Sequence, residues 1–305
     1  MKKDKLKGST DNNEIELSPE SFSGQHIHWY PGHIAKAERK LKEKINLVDV
    51  VIEVLDARIP LSSCYNNIKS LLGEKPRLIL LNKIDLVEEQ ELKHWIKVLE
   101  ELSGCPVLLS DAKHSRDLNK LVNKAVELSE LKIQQLMSRG LLRRSARVMV
   151  VGMPNVGKSS IINKLTKTSK TKVGAKAGVT RQQQWVRINP RLDLLDTPGI
   201  IPMKQPDQDR ALRLAFVNSV SENAYSNEIV AKELLTVLSK KYSQKVKLHY
   251  NLTQEDDLTV DNVAKSRNWL SLGAQPDIGR ASTSILCDFR DGKIGKFILD
   301  DFEEQ

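Results

Sequence analysis

The chain lacks the features that mark membrane-spanning and secreted proteins. No apolar stretch in it approaches the roughly 20 residues that a helix needs to cross a bilayer. The first twenty residues, MKKDKLKGSTDNNEIELSPE, carry charge at both ends and no apolar centre, which is not typical of a secretory signal. Their acidic residues also argue against an organelle transit peptide. We therefore expect residues 1–25 to form a disordered tail and the protein to be cytoplasmic.

Cysteine is also scarce. The three cysteines, Cys64, Cys105 and Cys287, lie far apart in the chain, and no CxxC or Cys/His spacing accompanies them. This pattern argues against both a disulfide framework and a metal site. We expect buried thiols in a reducing compartment.

Positive charge, by contrast, is in excess. The 48 Lys and Arg residues outnumber the 39 Asp and Glu residues, so the net charge is +9 and the pI is about 9.3. Such an excess favours a polyanionic partner. A membrane surface and RNA both fit this description, but no strongly amphipathic lysine-rich helix with an aromatic face is evident. We therefore expect RNA as the partner, with no membrane and no DNA.

Apolar strands alternate with helix-length segments and predict an α/β fold. Residues 48–55 form a nearly continuous apolar run rich in β-branched side chains, as expected for a parallel strand covered on both faces. The other predicted strands are 76–82, 105–110, 146–152 and 191–199, and the helices among the strands are 34–45, 88–102 and 117–137. We predict a doubly wound, mostly parallel sheet with flanking helices. From about residue 205 the strand pattern stops, and helical patterns at 208–220, 226–242 and 259–273 predict a small helical C-terminal domain.

The stretch GMPNVGKS (residues 152–159) fits the phosphate-loop pattern G-x-x-x-x-G-K-[ST], and it lies between a predicted strand and a predicted helix. Its glycines let backbone N–H groups wrap the phosphates, and the helix amino terminus adds a favourable dipole. We expect Lys158 to reach the β- and γ-phosphates and Ser159 to coordinate Mg²⁺. The alternative, a simple glycine-rich turn, is disfavoured by this context. The predicted phosphate-binding residues are Asn155, Val156, Gly157, Lys158, Ser159 and Ser160.

A second motif, DTPG (residues 196–199), follows the predicted strand LDLL. The Asp196 carboxylate at a strand end suits a water-mediated Mg²⁺ contact, and the Gly199 amide can meet the γ-phosphate. DTPG alone is equally typical of a β-turn, but the phosphate loop upstream favours the nucleotide interpretation. Thr180 is the candidate switch threonine that closes on Mg²⁺ when the γ-phosphate is present, with Thr168 and Thr171 as alternatives.

The motif NKID (residues 82–85) also ends a predicted strand and is typical of guanine binding. The Asp85 carboxylate can accept hydrogen bonds from guanine N1–H and N2–H₂, a pair of donors that adenine does not offer. Asn82 can brace the base, and the Lys83 stem can stack over it. After the next strand, Ser110 and Ala112 belong to a loop that can back the ring with a backbone amide. NKxD alone is a weak signal, but together with the other two motifs it predicts GTP rather than ATP.

The order of these motifs is unusual, because the base-binding motif precedes the phosphate loop. Read cyclically, the order is that of an ordinary GTPase, cut between DTPG and the strand before NKID. The ends of such a domain lie close together at the surface, so a cut there leaves the sheet unchanged. We predict a circularly permuted GTPase domain over residues 26–204.

The segments WYPGHIAKA, VLDARIP, NKIDL, GMPNVGKSS and DTPGI, in this order, resemble the YlqF family, also called ribosome biogenesis GTPase A. The stretch RASTSILCDFRDGKIGKFILD, within residues 205–305, resembles that family's carboxyl end. The resemblance implies a GTPase that binds the large ribosomal subunit precursor during assembly and is stimulated by it. It also implies that the helical C-terminal domain contacts ribosomal RNA. Asp111 departs from the family pattern, which usually has serine there, and the polar N-terminal tail is extra.

Ile200 follows DTPG, and an aliphatic side chain cannot orient the attacking water as the glutamine of Ras-like proteins does. Intrinsic hydrolysis is therefore expected to be slow. The resemblance points to His33 of the PGH motif as the missing polar group, positioned when the ribosome binds. The residues alone favour a structural role for His33, such as capping a helix.

Asn155 either shapes the phosphate loop or, as in similar potassium-dependent GTPases, ligates K⁺. The predicted catalytic residues are His33, Lys158, Thr180 and Gly199.

Two other functions are compatible with parts of the sequence. An RNA-binding scaffold that keeps nucleotide as a structural ligand fits Ile200, whereas an ATP-dependent kinase is disfavoured by NKID.

For Asp56 and Arg58 we expect a strand-end ion pair without a catalytic role. The chain leaving DTPG enters the C-terminal domain at about 203–207, so nucleotide state is expected to bias that domain. Part of the domain's basic residues is expected to contact RNA phosphate: Lys240, Lys241, Lys245, Lys247, Arg280, Arg290, Lys293 and Lys296.

Overall fold

The structure is a computed structural model that describes residues 34–65, 68–111, 118–167, 171–172, 185–195, 199–200 and 207–302. Four of the predicted site residues, His33, Ala112, Thr180 and Asp196, lie outside these ranges, as does Thr168.

The described strands form a single sheet. In sheet order they are β3 (Val107–Ser110), β2 (Arg77–Asn82), β1 (Val50–Asp56), β4 (Ala146–Gly152), β7 (Leu192–Leu195), β6 (Trp185–Asn189) and β5 (Thr171–Lys172), and β8 (Gly199–Ile200) also pairs with β4. The strands from β3 to β7 are parallel, and β6 and β5 extend the sheet in antiparallel fashion. The mostly parallel sheet agrees with the prediction.

Helices cover the sheet on both faces. They are α1 (Ile34–Ile45), α2 (Ile68–Leu72), α3 (Glu89–Ser103), α4 (Leu118–Ser138) and α5 (Lys158–Lys167). Every residue of β1 and β2 is buried, and because side chains alternate along a strand, neighbouring residues enter different cores. Ile52 belongs to the core that contains residues of α4 and α5, whereas Val51 belongs to the core of α1 and α2. This two-sided burial explains the continuous apolar runs of the sequence.

Residues 207–302 fold into four helices: α6 (Gln208–Phe216), α7 (Asn227–Tyr250), α8 (Val260–Ser266) and α9 (Ile278–Arg290). Asp207 caps α6, since its carboxylate accepts a hydrogen bond from the Arg210 amide at 2.7 Å. The helix predicted over 226–242 extends to Tyr250, with a non-helical residue at Tyr242. The helix predicted over 259–273 is too long, because α8 ends at Ser266. Asn268, shortly after that end, has a positive φ, which is not helical.

The final segment, residues 294–302, returns to the sheet, and we call it the C-terminal strap. The Phe297 amide donates to the Leu86 carbonyl at 3.1 Å, and the Leu299 amide donates to the Arg58 carbonyl at 2.8 Å. The strap therefore lies against loops that follow β1 and β2. The division of the chain at residue 205 stays a prediction.

The cysteine prediction is wrong in part. Cys64 is buried, but Cys105 is half-buried and Cys287 is exposed, because Cys287 lies on a face of α9 that does not enter the core. Within the described ranges, His, Cys, Asp and Glu form no cluster that could hold a metal ion. In the same part of the chain, no helix has both the length and the apolar character needed to cross a membrane.

Candidate functional site

The chemistry-bearing motifs meet at one edge of the sheet. β1, β2, β3 and β4 are parallel, so their carboxyl ends point the same way, and ligands bind at this edge in open α/β sheets. Asp56 pairs with Asn82, and Asn82 pairs with Ser110 across the three neighbouring strands. β4 ends at Gly152, where the phosphate loop begins.

The phosphate loop has the backbone that its glycines permit. Gly152 has φ +149° and Gly157 has φ +103°, in a region that favours glycine. A Cβ on Gly152 would lie 2.5 Å from the Val54 carbonyl oxygen, so the loop leaves β4 in contact with β1. α5 then begins at Lys158, which directs its first backbone N–H groups toward the loop.

Lys158 is a buried cation without a carboxylate partner in the described part of the chain. Its side chain is 5% exposed, and Nζ donates to the Met153 carbonyl at 2.5 Å. Burial lowers the pKa of Lys158 to about 8, since no carboxylate of the described residues offsets the loss of hydration. Ser159 and Ser160 follow on exposed positions of α5. A buried ammonium beside a helix amino terminus fits a phosphate group.

The NKID loop and the phosphate-loop motif are joined directly. Asn82 is 1% exposed, and its amide Nδ2 donates to the Val156 carbonyl at 2.8 Å, across 74 positions of sequence. A Cβ on Gly157 would overlap this amide, so the glycine allows the two loops to meet. The structure thus brings NKID and the phosphate loop to one place, as the permuted motif order predicts.

One pocket of about 370 Å³ contains both motifs and extends to the helical part of the chain. Its lining comprises Asn82, Lys83, Asp85, Leu86, Asp111, Gly157, Ser160, Arg290 and Asp291. Arg290 ends α9 and Asp291 follows it, so residues distant in sequence complete the pocket. Sequence reasoning did not assign either residue to this site. No local pattern marks them.

Asp56 and Arg58, for which only an ion pair was expected, also contact Lys83 of the NKID motif. Asp56 Oδ2 lies 2.8 Å from Arg58 Nη2 and 2.8 Å from Lys83 Nζ. Burial opposes ionisation of Asp56, but the charges of Arg58 and Lys83 outweigh it and hold the pKa of this carboxyl well below its usual range. Lys83 itself has φ +64°. The ion pairs of Asp56 with Arg58 and Lys83 therefore fix the direction of the Lys83 side chain.

The phosphate loop also contacts the segment after α6. The Asn155 amide Nδ2 donates to the Asn218 carbonyl at 2.7 Å, and Ser219 Oγ donates to the Pro154 carbonyl at 2.8 Å. Asn155 has φ +56°, a conformation that asparagine tolerates better than most residues. These two bonds connect the loop to the helical part.

Gly199 lies beside the start of the phosphate loop. It pairs with Val151, and Ile200 pairs with Gly152, in β8 against β4. Of the predicted Mg²⁺ ligands, Ser159 is placed at the head of α5, while Thr180 and Asp196 are outside the described residues. The Ser159 hydroxyl makes no hydrogen bond to the described residues and suits a metal ligand.

Comparison with known proteins resolves the family. The chain is 37% identical over 281 residues to "Ribosome biogenesis GTPase A" of Bacillus cereus, with 91% of this chain and 95% of the relative covered. The chain belongs to the ribosome biogenesis GTPase A family. The protein of that name from Thermotoga maritima is 31% identical, with 88% of this chain and 92% of the relative covered. "Mitochondrial ribosome-associated GTPase 1" of Mus musculus is 34% identical, with 89% of each chain covered.

Family models and solved structures agree with this assignment. The model "50S ribosome-binding GTPase" matches residues 147–264, and the model "RsgA GTPase" matches residues 73–205. GNP-bound YlqF from T. maritima aligns with a TM-score of 0.61 at 26% identity, covering 87% of this chain and 97% of that one. A GDP-bound YlqF structure aligns with a TM-score of 0.62 at 25% identity, covering 87% and 100%.

Membership in the ribosome biogenesis GTPase A family makes the chain a GTP hydrolase and confirms the predicted fold class and the resemblance drawn from the motifs. It also implies guanine nucleotide and Mg²⁺ as ligands. When bound, Mg²⁺ neutralises charge on the β- and γ-phosphate oxygens.

Proposed function

We propose that this GTPase is an assembly factor for the large ribosomal subunit, that it binds the subunit precursor and its RNA, and that the particle stimulates hydrolysis. The observation that carries the proposal is the joining of Asn82 to the Val156 carbonyl, because one nucleotide can then meet both loops. The names of the relatives and the description of the matching family model support a ribosomal partner.

In this proposal each residue has a role in holding GTP. Asp85 accepts from guanine N1–H and N2–H₂, while Asn82 and Lys83 brace and cover the ring, and Ser110 and Ala112 back it. Lys158 and the amides of the phosphate loop hold the phosphates. Ser159, Thr180 and Asp196 take the Mg²⁺ side, and the Gly199 amide meets the γ-phosphate. We assign residues 26–204 to this GTPase domain and 205–305 to a helical RNA-binding domain.

Slow intrinsic turnover follows from Ile200, which replaces a water-orienting side chain. His33 supplies the polar group once the particle positions it. The test is single-turnover hydrolysis by His33→Ala with and without large subunits. We expect stimulation to fall while affinity for a GTP analogue is unchanged. If large subunits stimulate this variant as strongly as wild type, His33 has no role in the reaction.

Asn155 is proposed as a K⁺ ligand beside the phosphates. Its amide nitrogen is engaged by the Asn218 carbonyl, and its side-chain oxygen is the atom that suits a cation. We expect hydrolysis to be faster in KCl than in NaCl at equal ionic strength, and Asn155→Ala to remove the difference.

Nucleotide state is proposed to reach the helical part by two routes. One is the chain near 203–207, and the other is the pair of bonds from Pro154 and Asn155 to the segment after α6. Affinity for subunit precursors is therefore expected to differ between GTP-analogue and GDP forms. Sedimentation with isolated subunits measures this difference, and equal affinities would contradict it.

A scaffold that holds nucleotide without meaningful turnover is the second candidate, and Ile200 favours it. GTP hydrolysis measured with and without large subunits separates the two. Stimulation supports the assembly GTPase. Unchanged slow turnover together with tight particle binding supports the scaffold.

A further inference from the structure

A second pocket, of about 510 Å³, lies at the edge of the sheet opposite the nucleotide loops. It is bordered by the loop before β4, the amino-terminal ends of β4 and β7, and the turn between β6 and β7. Because β4 runs from this pocket to the phosphate loop, a nucleotide bound at the loop does not reach it. We call it the arginine pocket, after its lining: Arg143, Arg144, Arg147, Arg187 and Arg191, with Val126, Ile133, Ser145, Pro190 and Asp193.

Strand register and ion pairs set the positions of these guanidinium groups. Arg147 pairs with Asp193 and Asp193 with Arg187, so the three side chains lie in a row across β4, β7 and β6. Arg187 Nε lies 2.8 Å from Asp193 Oδ1. Arg144 donates through both terminal nitrogens to Asp49, at 2.6 and 2.8 Å. Carboxylates thus fix the directions of the Arg144 and Arg187 side chains.

The pocket keeps positive charge after this pairing. Arg143 pairs with Glu130, so the five guanidinium groups have three carboxylate partners in the ion pairs of the described residues, namely Asp49, Glu130 and Asp193. The Arg191 guanidinium donates to the neutral Asn123 side chain at 2.8 Å and makes no ion pair with any described residue. Arg147 lies 5.2 Å from the Trp185 ring centroid and likewise has no ion pair in the described chain.

An excess of arginine of this kind suits phosphodiester groups. The planar guanidinium offers paired N–H donors that match two phosphate oxygens, and it loses less hydration than an ammonium. Several candidate cations of the helical part are occupied within the chain. Lys241 pairs with Asp301, Lys245 with Glu88, and Arg290 with Glu222. The arginine pocket therefore adds two guanidinium groups without ion pairs to described residues, those of Arg147 and Arg191, to the cations that the helical part offers a polyanion.

We propose that the arginine pocket binds the phosphodiester backbone of RNA, with Arg191 and Arg147 as the principal contacts. The inference rests on the proposed function only in taking ribosomal RNA as the relevant partner. It places an RNA contact on the GTPase sheet itself, remote from the nucleotide, in addition to the helical domain. A solely structural ion-pair cluster is the competing explanation, and it predicts effects on stability alone.

The test is binding of deproteinised large-subunit ribosomal RNA by the full chain across a salt series. Arg191→Ala is expected to weaken binding roughly three- to tenfold and to lower the slope of log affinity against log salt by about 0.7–0.9. Arg191→Glu is expected to weaken it further. Lys97→Ala, which removes an exposed charge from α3, is the matched control and is expected to leave affinity unchanged. Affinity for a GTP analogue and the melting temperature are expected to match wild type in all three variants.

Unchanged RNA affinity and salt slope in both Arg191 variants would overturn the inference. So would a defect seen with intact subunits but not with deproteinised RNA, since the occupant would then be a ribosomal protein. A loss of RNA affinity that follows a lower melting temperature would favour the structural explanation. The proposed function is judged separately, by stimulation of wild-type hydrolysis, so either conclusion can fail alone.

Discussion

Gly157 lies where the phosphate loop approaches the Asn82 side chain of the NKID motif. Its φ of +103° is a conformation that other residues rarely adopt, and a Cβ there would overlap the Asn82 amide. The same amide holds the Val156 carbonyl. The absence of a side chain at position 157 therefore leaves room for Asn82 to contact the phosphate loop.

We expect Gly157→Ala to bind GDP at least about tenfold more weakly, because the added methyl displaces Asn82 and strains the loop. Titration of a fluorescent GDP analogue measures the change. Gly73→Ala is the control, since Gly73 has φ +57° but no atom within 4 Å of its Cβ position. That variant is expected to lose about 1 kcal/mol of stability and no nucleotide affinity. Equal affinity in the Gly157 variant and wild type would contradict the contact.

We expect Lys158 to give nucleotide binding a pH dependence. Its pKa of about 8 in the unliganded protein leaves half of the side chains neutral near that pH, and bound phosphate favours the charged form. GDP binding should therefore take up about half a proton near pH 8 and about a tenth near pH 7. Calorimetric titration in two buffers with different ionisation heats measures the uptake. Guanosine, which has no phosphate, should show none. Zero uptake with GDP at both pH values would contradict the lowered pKa.

At the scale of elements, α6 shows how a short helix is fixed at its carboxyl end. Arg290 donates to the Phe216 carbonyl at 3.1 Å and to the Ala215 carbonyl at 3.0 Å, and its Nη2 also meets the Tyr225 hydroxyl at 2.9 Å. A cation at a helix carboxyl terminus also complements the helix dipole. Arg290 thus joins α9 to α6. Asn218, whose carbonyl accepts from Asn155 of the phosphate loop, follows the last residue of α6 by two positions.

Arg290→Ala is expected to lower the free energy of unfolding by about 2–4 kcal/mol, because charge-assisted bonds to buried carbonyls are lost. It should also weaken nucleotide affinity, since Arg290 lines the same pocket as Asp85. Denaturant unfolding and GDP titration provide the two measurements. Arg290→Lys keeps the positive charge but lacks the planar guanidinium and its paired N–H donors, so it should recover only part of the stability. An Arg290→Ala variant as stable as wild type would show that these hydrogen bonds do not contribute to the free energy of unfolding.

Elements with a strong local signal were predicted well. The bounds of α1 and β4 match the predicted 34–45 and 146–152, since an amphipathic helix and a fully buried strand are visible in a short window of sequence. The bounds of α8 were not, because its end depends on the positive φ of Asn268. In the site, motifs of fixed spacing found Lys158 and Asn82. Contacts between distant segments, such as Asn155 with Asn218, leave no local pattern.

At the scale of the whole molecule, the C-terminal strap ties the helical part to the loops after β1 and β2. Asp300 is 2% exposed and accepts from the Leu61 amide at 2.7 Å, the Ser62 amide at 2.8 Å and Ser62 Oγ at 2.6 Å. Arg213 Nε of α6 lies 3.5 Å from the same carboxylate. This buried group joins the strap, α6 and the sheet.

Asp300→Ala should lower the free energy of unfolding by about 3–5 kcal/mol, because it leaves Arg213 buried without its carboxylate and two amides without an acceptor. The neighbouring Asp301→Ala is the control. Asp301 is more exposed and, among the described residues, has one ion-pair partner, Lys241, so about 0.5 kcal/mol or less is expected. Thermal unfolding followed by circular dichroism should show one transition in each protein. A stable, wild-type-like Asp300 variant would rule out this role.

The strap also has a consequence for how the chain acquires activity during its own synthesis. Asp300 meets Ser62 across 238 positions, and Phe297 holds the carbonyl of Leu86, next to Asp85. A ribosome translating this protein releases the first strands long before β4 and the strap emerge. The nascent chain therefore carries the NKID loop early but lacks the contacts of the strap, so we expect nucleotide binding to be established only when translation is nearly finished.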